Sequence, residues 1–491
     1  MTTTSNTPID ATSEVLAARR GQRVWAELPL ARRLAPVTAF RRLLVSACDR
    51  LCLVIADDVG KGVREVVGSE ILPTADACLF AEKQALALLR PRRVNTNTRP
   101  WWLFGQRDTV HRRPRGVVGI IGTWNYPLFL NAVQIVQALV AGNAVVWKPS
   151  EVTPRFAEVL RDLLHEAGFP REVFRVLPAT RDMGPALAEA PVDHVVFTGS
   201  AAVGRQLAAR LGQRLVSSTL ELSGCDVQLV LDDADVNLAA RAAWFGVTLN
   251  RGQTCIAIRR ALVPRSLYAP YCDLLGPLSA QADPCKLAMP AQTWQAQRLV
   301  DEAVAAGGRL LTPGPTRVEG NAFQPAVIID ARPEMSVCRE ACFAPVMAVI
   351  PYDTLDEALA MEAQCPYALG ASVFTARPER AAAVAPRLRA GMVCVNDVVV
   401  PTAHPATPFG GRGDSGWGAT QGAEGLLEMT VPQVVSTRGG SFRPHYDMGD
   451  PAKLAASDAM LRGLLEATHA PTSLVRMRGW WRVIRAARKA V

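Results

Sequence analysis

Between Gly116 and Trp147 the chain carries no Asp, Glu, Lys, Arg or His. A stretch that long either crosses a bilayer or lies in the core of a large protein. Its content decides between them. Asn125, Pro127, Asn131, Gln134, Gln137 and Asn143 would each be costly in lipid. The run divides instead into a strand at 117–121, a loop, an amide-bearing helix at about 128–141 and a second strand at 144–147. That is a βαβ unit enclosed in a core. The chain can supply one: it has 491 residues, 49% apolar and 20% charged. This composition excludes disorder, collagen and coiled-coil rods for most of its length.

Residues 13–90 are expected to be helical, since Leu43, Leu44, Ala47, Leu51, Val54 and Ile55 recur at helical spacing. Residues 91–115 are rich in Arg, Pro and Trp and read as extended and irregular. From 116 to about 230, short β-branched runs at 117–121, 144–147, 173–177, 194–197 and 228–231 alternate with helical stretches. A second set follows at 261–263, 326–329, 347–350, 371–374 and 392–395. The expected fold class is therefore α/β, with two doubly wound parallel-sheet units in series. Residues 443–491 follow Gly439 and Gly440 and read as a C-terminal extension.

The net charge is +9, and only six of the 54 basic residues are Lys. The positive charge is spread along the chain, apart from Arg107, Arg112, Arg113, Arg115 and the basic C-terminus. No reading motif or interleaved aromatic set accompanies it, so nucleic acid is not an expected partner. Eleven Cys form no CxxC pair. Cys48/Cys52 and Cys338/Cys342 have helical spacing, but no His or further Cys completes a metal set, so no metal is expected. The thiols read as buried small hydrophobes in a reducing compartment. The N-terminus, MTTTSNTPID, lacks an apolar signal core. A cytoplasmic protein is expected.

Several residues could carry chemistry. Cys255, in Asn250-Arg-Gly-Gln-Thr-Cys255, follows a helical stretch at 238–249 and sits in a polar turn. There it could be exposed, with backbone N–H groups lowering its pKa, and thiolate attacks carbonyl carbon readily. Glu221, between Leu220 and Leu222 and followed by Ser223-Gly224, suggests a carboxylate at the end of a strand pushed into apolar surroundings, where desolvation raises its pKa toward the range of a general base. Asn125 lies in a loop just after a buried strand, where its amide can donate to an oxyanion. Each has a structural alternative: an inert thiol, a solvent-facing carboxylate, a turn-forming amide. Lys148 ends a buried strand, where α/β sheets bind ligands. Gly199, Ser200, Ala201, Ala202, Val203 and Gly204 follow the strand at 194–197 and open a helix suited to a phosphate or a closely packed cofactor. A formal GxGxxG at Gly411, Gly413 and Gly416 has no strand before it and is read as fortuitous.

Together and in order, these segments resemble the aldehyde dehydrogenase superfamily over about residues 13–437. The matching stretches are Pro114-Arg-Gly-Val-Val-Gly-Ile-Ile-Gly-Thr-Trp-Asn-Tyr-Pro127, Lys148-Pro-Ser-Glu151, Phe197-Thr-Gly-Ser200 with Gly204, Leu220-Glu-Leu-Ser-Gly224, Gly252-Gln-Thr-Cys255, Phe343-Ala-Pro-Val346 and Pro408-Phe-Gly-Gly-Arg-Gly-Asp-Ser-Gly416. Val395-Asn-Asp-Val-Val-Val400 with Pro408-Phe-Gly-Gly looks most like the class 3 and fatty-aldehyde branch. The resemblance implies that Cys255 is the nucleophile, that Glu221 activates the hydrolytic water and that Asn125 holds the oxyanion. It implies a cofactor, NAD with NADP as the alternative, held by Trp124, Lys148, Ser150, Glu151, Gly199, Ser200, Ala201, Ala202, Val203, Gly204 and Phe343. Lys148 and Glu151 would meet the adenosine ribose, and Phe343 would lie near the nicotinamide ribose. The reaction would be oxidation of an aldehyde, long-chain or apolar, to the acid. The alternatives are acyl transfer to coenzyme A or phosphate, and a degenerate nucleotide-binding scaffold.

The resemblance also implies domains: a Rossmann-like cofactor domain at 13–222, with an oligomerisation segment at 99–115, a catalytic domain at 223–405 and a return segment at 406–442. A homodimer would use strands near 99–115 and 428–438. The sequence departs from the family at Ala341, where a ribose-binding Glu is usual and Glu340 lies one residue earlier. It also departs at Ala344, Ser223 and Arg251.

In the extension, Met477, Trp480, Ile484, Ala487 and Val491 form an apolar helical stripe beside the basic stripe Arg478, Arg482, Arg485 and Lys489. This pattern suits peripheral membrane contact through residues 473–491, at the inner face of the membrane. The alternatives are a helix packed on the domain or on a dimer mate, and disorder. Gly479 should weaken such a helix, so that it forms only on contact.

Overall fold

The computed structural model describes residues 10–312, 314, 316–441, 443, 446 and 449–490. Residues 1–9, on which the reading of a missing signal rests, and Val491 lie outside the described residues. The chain forms two compact units: residues up to Leu89 with Arg113–Val431, and Arg90–Arg112 with Pro432–Val491.

The first unit opens with helices Ala11–Glu27, Leu30–Ser46, Cys48–Val59 and Leu72–Leu89. Asp10 caps the first of these by accepting from the N–H groups of Thr12 and Ser13. The uncharged run then forms strand Val117–Ile121, helix Phe129–Val140 and strand Ala144–Lys148. All twelve residues of that helix are buried. Its amides are polar groups such a helix can hold because the fold supplies them with acceptors, Gln137 Oε1 alone of their buried oxygens among the described residues being left without a donor. Asn131 donates to the carbonyls of Thr123 (3.0 Å) and Pro127 (2.6 Å), and Gln134 donates to Thr198 Oγ1 (3.1 Å). Asn143, just after the helix, donates to the carbonyls of Ala138 and Met429 (both 2.9 Å). A buried amide without such partners would cost about 1–3 kcal/mol. No described helix is long and apolar enough to cross a membrane.

Two sheets carry the first unit. The six-stranded one runs in the order Gly416–Trp417, Ser217–Leu222, His194–Gly199, Val117–Ile121, Ala144–Lys148, Phe174–Val176. All neighbours are parallel except the Gly416–Trp417 edge. The seven-stranded one runs Arg309–Leu310, Ala326–Ile329, Val346–Tyr352, Ile258–Pro264, Asp226–Val230, Gly370–Phe374, Met392–Val395, parallel apart from Arg309–Leu310. The expected α/β class with two parallel sheets is the observed one. The chain passes from the first sheet to the second between Leu222 and Asp226, which sets Glu221 close to the crossing.

In the second unit, residues expected to be irregular include a regular strand, Gln106–Pro114. It is the middle strand of a three-stranded sheet between Arg92–Arg93 and Thr430–Arg438. Two helices, Pro451–His469 and Ser473–Ala490, pair as a hairpin. The helix that Gly479 was expected to weaken is formed in contact with its partner helix. Gly479 is buried at the helix crossing, where a Cβ would meet the Gly463 carbonyl oxygen at 2.7 Å, so its missing side chain allows the close approach. Val483 and Ala486 are buried with it, as are Leu464 and Ala467 of the first helix.

Candidate active site

The turn before Cys255 is held in an unusual backbone conformation. Asn250, Arg251 and Gly252 have φ of 49°, 59° and 72° in succession. Left-handed geometry costs non-glycine residues energy, so surrounding contacts must fix it. Asn250 Nδ2 donates to the carbonyls of Asn125 (2.9 Å) and Gln253 (3.1 Å), and Arg251 donates to the carbonyl of Gly60 (2.6 Å). A Cβ at Gly252 would strike the Ala344 carbonyl. The fully buried Arg259 guanidinium bridges the carbonyls of Gly252 and Ala344.

The Asn125 loop is laced to this turn. Asn125 Nδ2 donates to the Gln253 carbonyl (3.1 Å), and its Oδ1 accepts from Thr123 Oγ1 (2.8 Å). The Tyr126 hydroxyl lies 2.8 Å from Thr254 Oγ1. Below the loop, Lys61 and Glu70 form an ion pair of 2.6 Å that is wholly buried. Glu70 also accepts from the N–H groups of Leu128 (3.0 Å) and Phe129 (2.9 Å), and Lys61 Nζ stands 3.7 Å over the Tyr126 ring. Asn250, Lys61, Glu70 and Arg259 were not singled out from sequence. Asn250 carried a weak signal, its place in the motif with Cys255.

Cys255 Sγ lies 3.8 Å from Glu221 Oε1. Glu221 is buried between strand neighbours Thr198 and Gly416. Burial pushes its carboxyl up to about 7, against the opposing hydrogen bond from Cys255. Its Oε2 has no hydrogen-bond partner among the described residues. The expectation for Cys255 is corrected. Its thiol is buried, not exposed, and its pKa is raised well above the ordinary value. The N–H groups of Ile256 and Cys255 do pull it down, but desolvation and the nearby charges of Glu221 and Asp226 outweigh them. A resting thiol therefore needs a base to ionise it, and Glu221 is in place.

Two cavities of this unit bear on these residues. One, of about 720 Å³, has Cys255 in its wall together with Phe129, Leu130, Phe245, Ile256, Val399 and Phe409. Glu65, Arg64, Ser69 and Arg251 supply polar groups there. The other, of about 500 Å³, is lined by Trp124, Lys148, Ser150, Glu151, Arg181, Gly199 and Val203 among others. Ser200, Ala201, Ala202 and Gly204 are not among its lining residues. Ser200 caps helix Ala201–Gln213, and a Cβ at Gly204 would meet the Leu222 side chain, so Gly204 serves close helix–sheet packing. The Phe343 ring lies 6.1 Å from the Trp124 ring. Glu340 is held by Arg298 at 2.5 Å, and the Ala341 carbonyl accepts from Gln295.

The second cavity fits a dinucleotide by its donor set. It combines an ammonium and a carboxylate suited to ribose hydroxyls with Gly199 and a side of helix Ala201–Gln213, at the carboxyl ends of parallel strands. Glu151 is paired with both Lys148 (3.1 Å) and Arg181 (2.9 Å). Its charge is thus offset, and a ribose 2′-phosphate would not meet a bare carboxylate. The GxGxxG stretch forms only the short strands Arg412–Gly413 and Gly416–Trp417. At Gly416 (φ 93°) a Cβ would clash with the Leu220 carbonyl, so this glycine serves strand approach, not a phosphate. No group of residues suited to a metal ion occurs among the described residues.

Residues 1–435 match the model of the aldehyde dehydrogenase family. The chain belongs to this family. It is 33% identical over 427 residues to the 4,4'-diapolycopene aldehyde oxidase of Methylomonas sp, covering 85% of this chain and 80% of the relative. It is 34% identical over 449 residues to a putative NADP(+) succinate-semialdehyde dehydrogenase of Mycolicibacterium smegmatis, covering 88% and 86%. Its fold resembles a Mycobacterium tuberculosis aldehyde dehydrogenase complexed with NAD+, with a TM-score of 0.82, 29% identity and 89% and 92% of the two chains covered. The protein is an NAD(P)-dependent enzyme of aldehyde oxidation.

Proposed function

We propose that the enzyme oxidises a long-chain or otherwise apolar aldehyde to its acid, through a thioester on Cys255 that Glu221 helps to hydrolyse. The observation that carries this reading is a buried Glu221, with its carboxyl near 7, 3.8 Å from a thiol in the wall of a largely apolar cavity. Glu221 takes the Cys255 proton, and the thiolate sulfur bonds to the aldehyde carbon. The carbonyl oxygen becomes an oxyanion held by the Asn125 amide and the Cys255 N–H, an interaction worth about 3–4 kcal/mol per donor in such sites. A nicotinamide cofactor held at the second cavity would supply the acceptor for the hydride of this carbon. Glu221 gives the Cys255 proton to solvent and, as a carboxylate again, removes a proton through its open Oε2 from the water that attacks the thioester; the C–S bond breaks, the acid leaves, and the proton on Glu221 returns to the sulfur. Trp124, Lys148, Ser150 and Glu151 would hold the cofactor, and Glu340, engaged by Arg298, would not stand in for the missing ribose carboxylate at Ala341.

The free Oε2 of Glu221 favours water over coenzyme A or phosphate as acyl acceptor. The likeness to the fatty-aldehyde branch and the relative named for diapolycopene support an apolar substrate. Eleven free thiols support a cytoplasmic location. The test is NADH formation with a series of aldehydes. Specificity constants should rise with chain length, and Cys255→Ala should abolish the reaction. A clear preference for a short, carboxylate-bearing semialdehyde would overturn the substrate class. It would point to Arg64 and Arg251, which also line the cavity.

A further inference from the structure

Helix Ser473–Ala490 contains Arg476, Arg478, Arg482, Arg485, Arg488 and Lys489 and no acidic residue. Its inner face, Gly479, Val483 and Ala486, is taken by the first helix of the hairpin. At about 100° per residue, Met477, Trp481 and Ile484 project to the other side. They are exposed by 58%, 70% and 46%, and Leu474 by 55%. Large apolar side chains grouped in water in this way mark a contact surface. Arg478, Arg485 and Arg488 are exposed around them, and Arg482 is held by Glu466 at 2.6 Å. In residues 451–490 eight cations face two carboxylates, Asp458 and Glu466.

We propose that this helix face docks on an anionic lipid surface, with Met477, Trp481 and Ile484 entering the interface and the flanking arginines meeting lipid phosphates. Charge selects this occupant. A second copy packed face to face would set the same arginines against one another with no acidic partner. A phosphate backbone alone would leave the Trp and Ile in water. The helix is about 27 Å long, enough to lie along an interface. It differs from the arrangement expected from sequence, in which Trp480 and Ala487 shared the apolar stripe, because the hairpin turns Trp481 outward instead. The inference extends the membrane contact expected for residues 473–491. It would place the enzyme where an apolar aldehyde dissolves, but the binding itself needs no aldehyde.

The test is co-sedimentation of the full-length protein with vesicles of phosphatidylcholine alone or mixed with phosphatidylglycerol. The protein should sediment with the mixed vesicles only, and added salt should release it. Met477→Ser with Trp481→Ser should weaken binding at least tenfold, as should Arg478→Glu with Arg485→Glu. Both variants should retain wild-type helicity and wild-type oxidation of a short, soluble aldehyde, which separates this result from any failure of the catalytic reading. Equal partitioning of wild type and variants, no preference for anionic lipid, or a wild-type oligomer that the serine variant splits would each overturn the proposal; the last would make this face a protein interface.

Discussion

Glu221 concentrates the chemistry of the site in one carboxyl whose ordinary value of 4.5 is pushed up to about 7 by burial. Below that pH it holds a proton and can accept none. The rate of aldehyde oxidation should therefore fall as pH drops through about 7, following a single ionisation. Glu221→Gln should lose the first equivalent of NADH along with turnover, because no base then ionises the raised Cys255 thiol; a full burst would show that Cys255 ionises without Glu221. The same shift has a stability consequence of opposite sign. The folded chain holds this proton more tightly than the unfolded chain does. The resulting stabilisation is fully present below 4.5 and is lost as pH rises through 7. Relative to an ionised, buried carboxylate, the Gln variant should be more stable at pH 8, by up to about 3 kcal/mol. Denaturant unfolding of both proteins at pH 5 and pH 8 checks this. A variant less stable than wild type at pH 8 would contradict it. The position of Glu221 among leucines was legible in the sequence, and so was the direction of its shift. The state of Cys255 was not. Local sequence shows the N–H groups that lower a thiol pKa, but the walls that exclude water come from residues as distant as Tyr126 and Phe409.

Among the elements, helix Phe129–Val140 depends on a residue far from it in sequence. The N–H groups of Leu128 and Phe129 at its start lack intrahelical acceptors and donate to Glu70 Oε2 instead. Glu70 in turn neutralises Lys61, and Lys61 packs on Tyr126 of the Asn125 loop. Removing one partner leaves the other charge buried, which typically costs about 3–5 kcal/mol, whereas removing both can be nearly neutral. Lys61→Met should therefore destabilise strongly, and Lys61→Met with Glu70→Gln should recover much of the loss. If the pair also positions the Asn125 loop, the double variant should keep a lowered kcat with an unchanged KM for NAD. Full recovery of kcat would reduce the pair to a purely structural role. No sequence pattern announced it, because the partners stand nine positions apart with Gly62 and helix Val63–Val66 between them. Most strands were legible because parallel sheets are buried on both faces and read as β-branched runs. Ser217–Leu222 was legible only at its leucine-flanked end, because its first half is Ser-Ser-Thr, and Gln106–Pro114 only through the family resemblance, because its polar residues conceal the period of a strand.

At the scale of the whole molecule, strand Thr430–Arg438 is the unfinished part of the second unit. Strand Gln106–Pro114 occupies one of its edges, and no described strand pairs with the other. Val431, Val434 and Val435 are exposed along it. Nine residues of open edge carrying valines form a template for another chain, and a stable protein must cover or blunt such an edge. The sequence placed an assembly strand near 428–438, and the exposed edge gives that expectation a mechanism. Symmetric pairing with a second copy, each protomer offering the same edge, is the expected cover. Light scattering at micromolar concentration should therefore give a dimer mass. Val434→Lys with Val435→Pro should shift it to a monomer, since charge opposes charge across a symmetric edge and Pro removes a donor. A monomeric wild type would refute the pairing, and a variant that stays dimeric would move the interface elsewhere. This outcome is independent of lipid: the strand variant should still bind anionic vesicles and the hairpin variants should still dimerise, so the two surfaces can be told apart in one set of proteins.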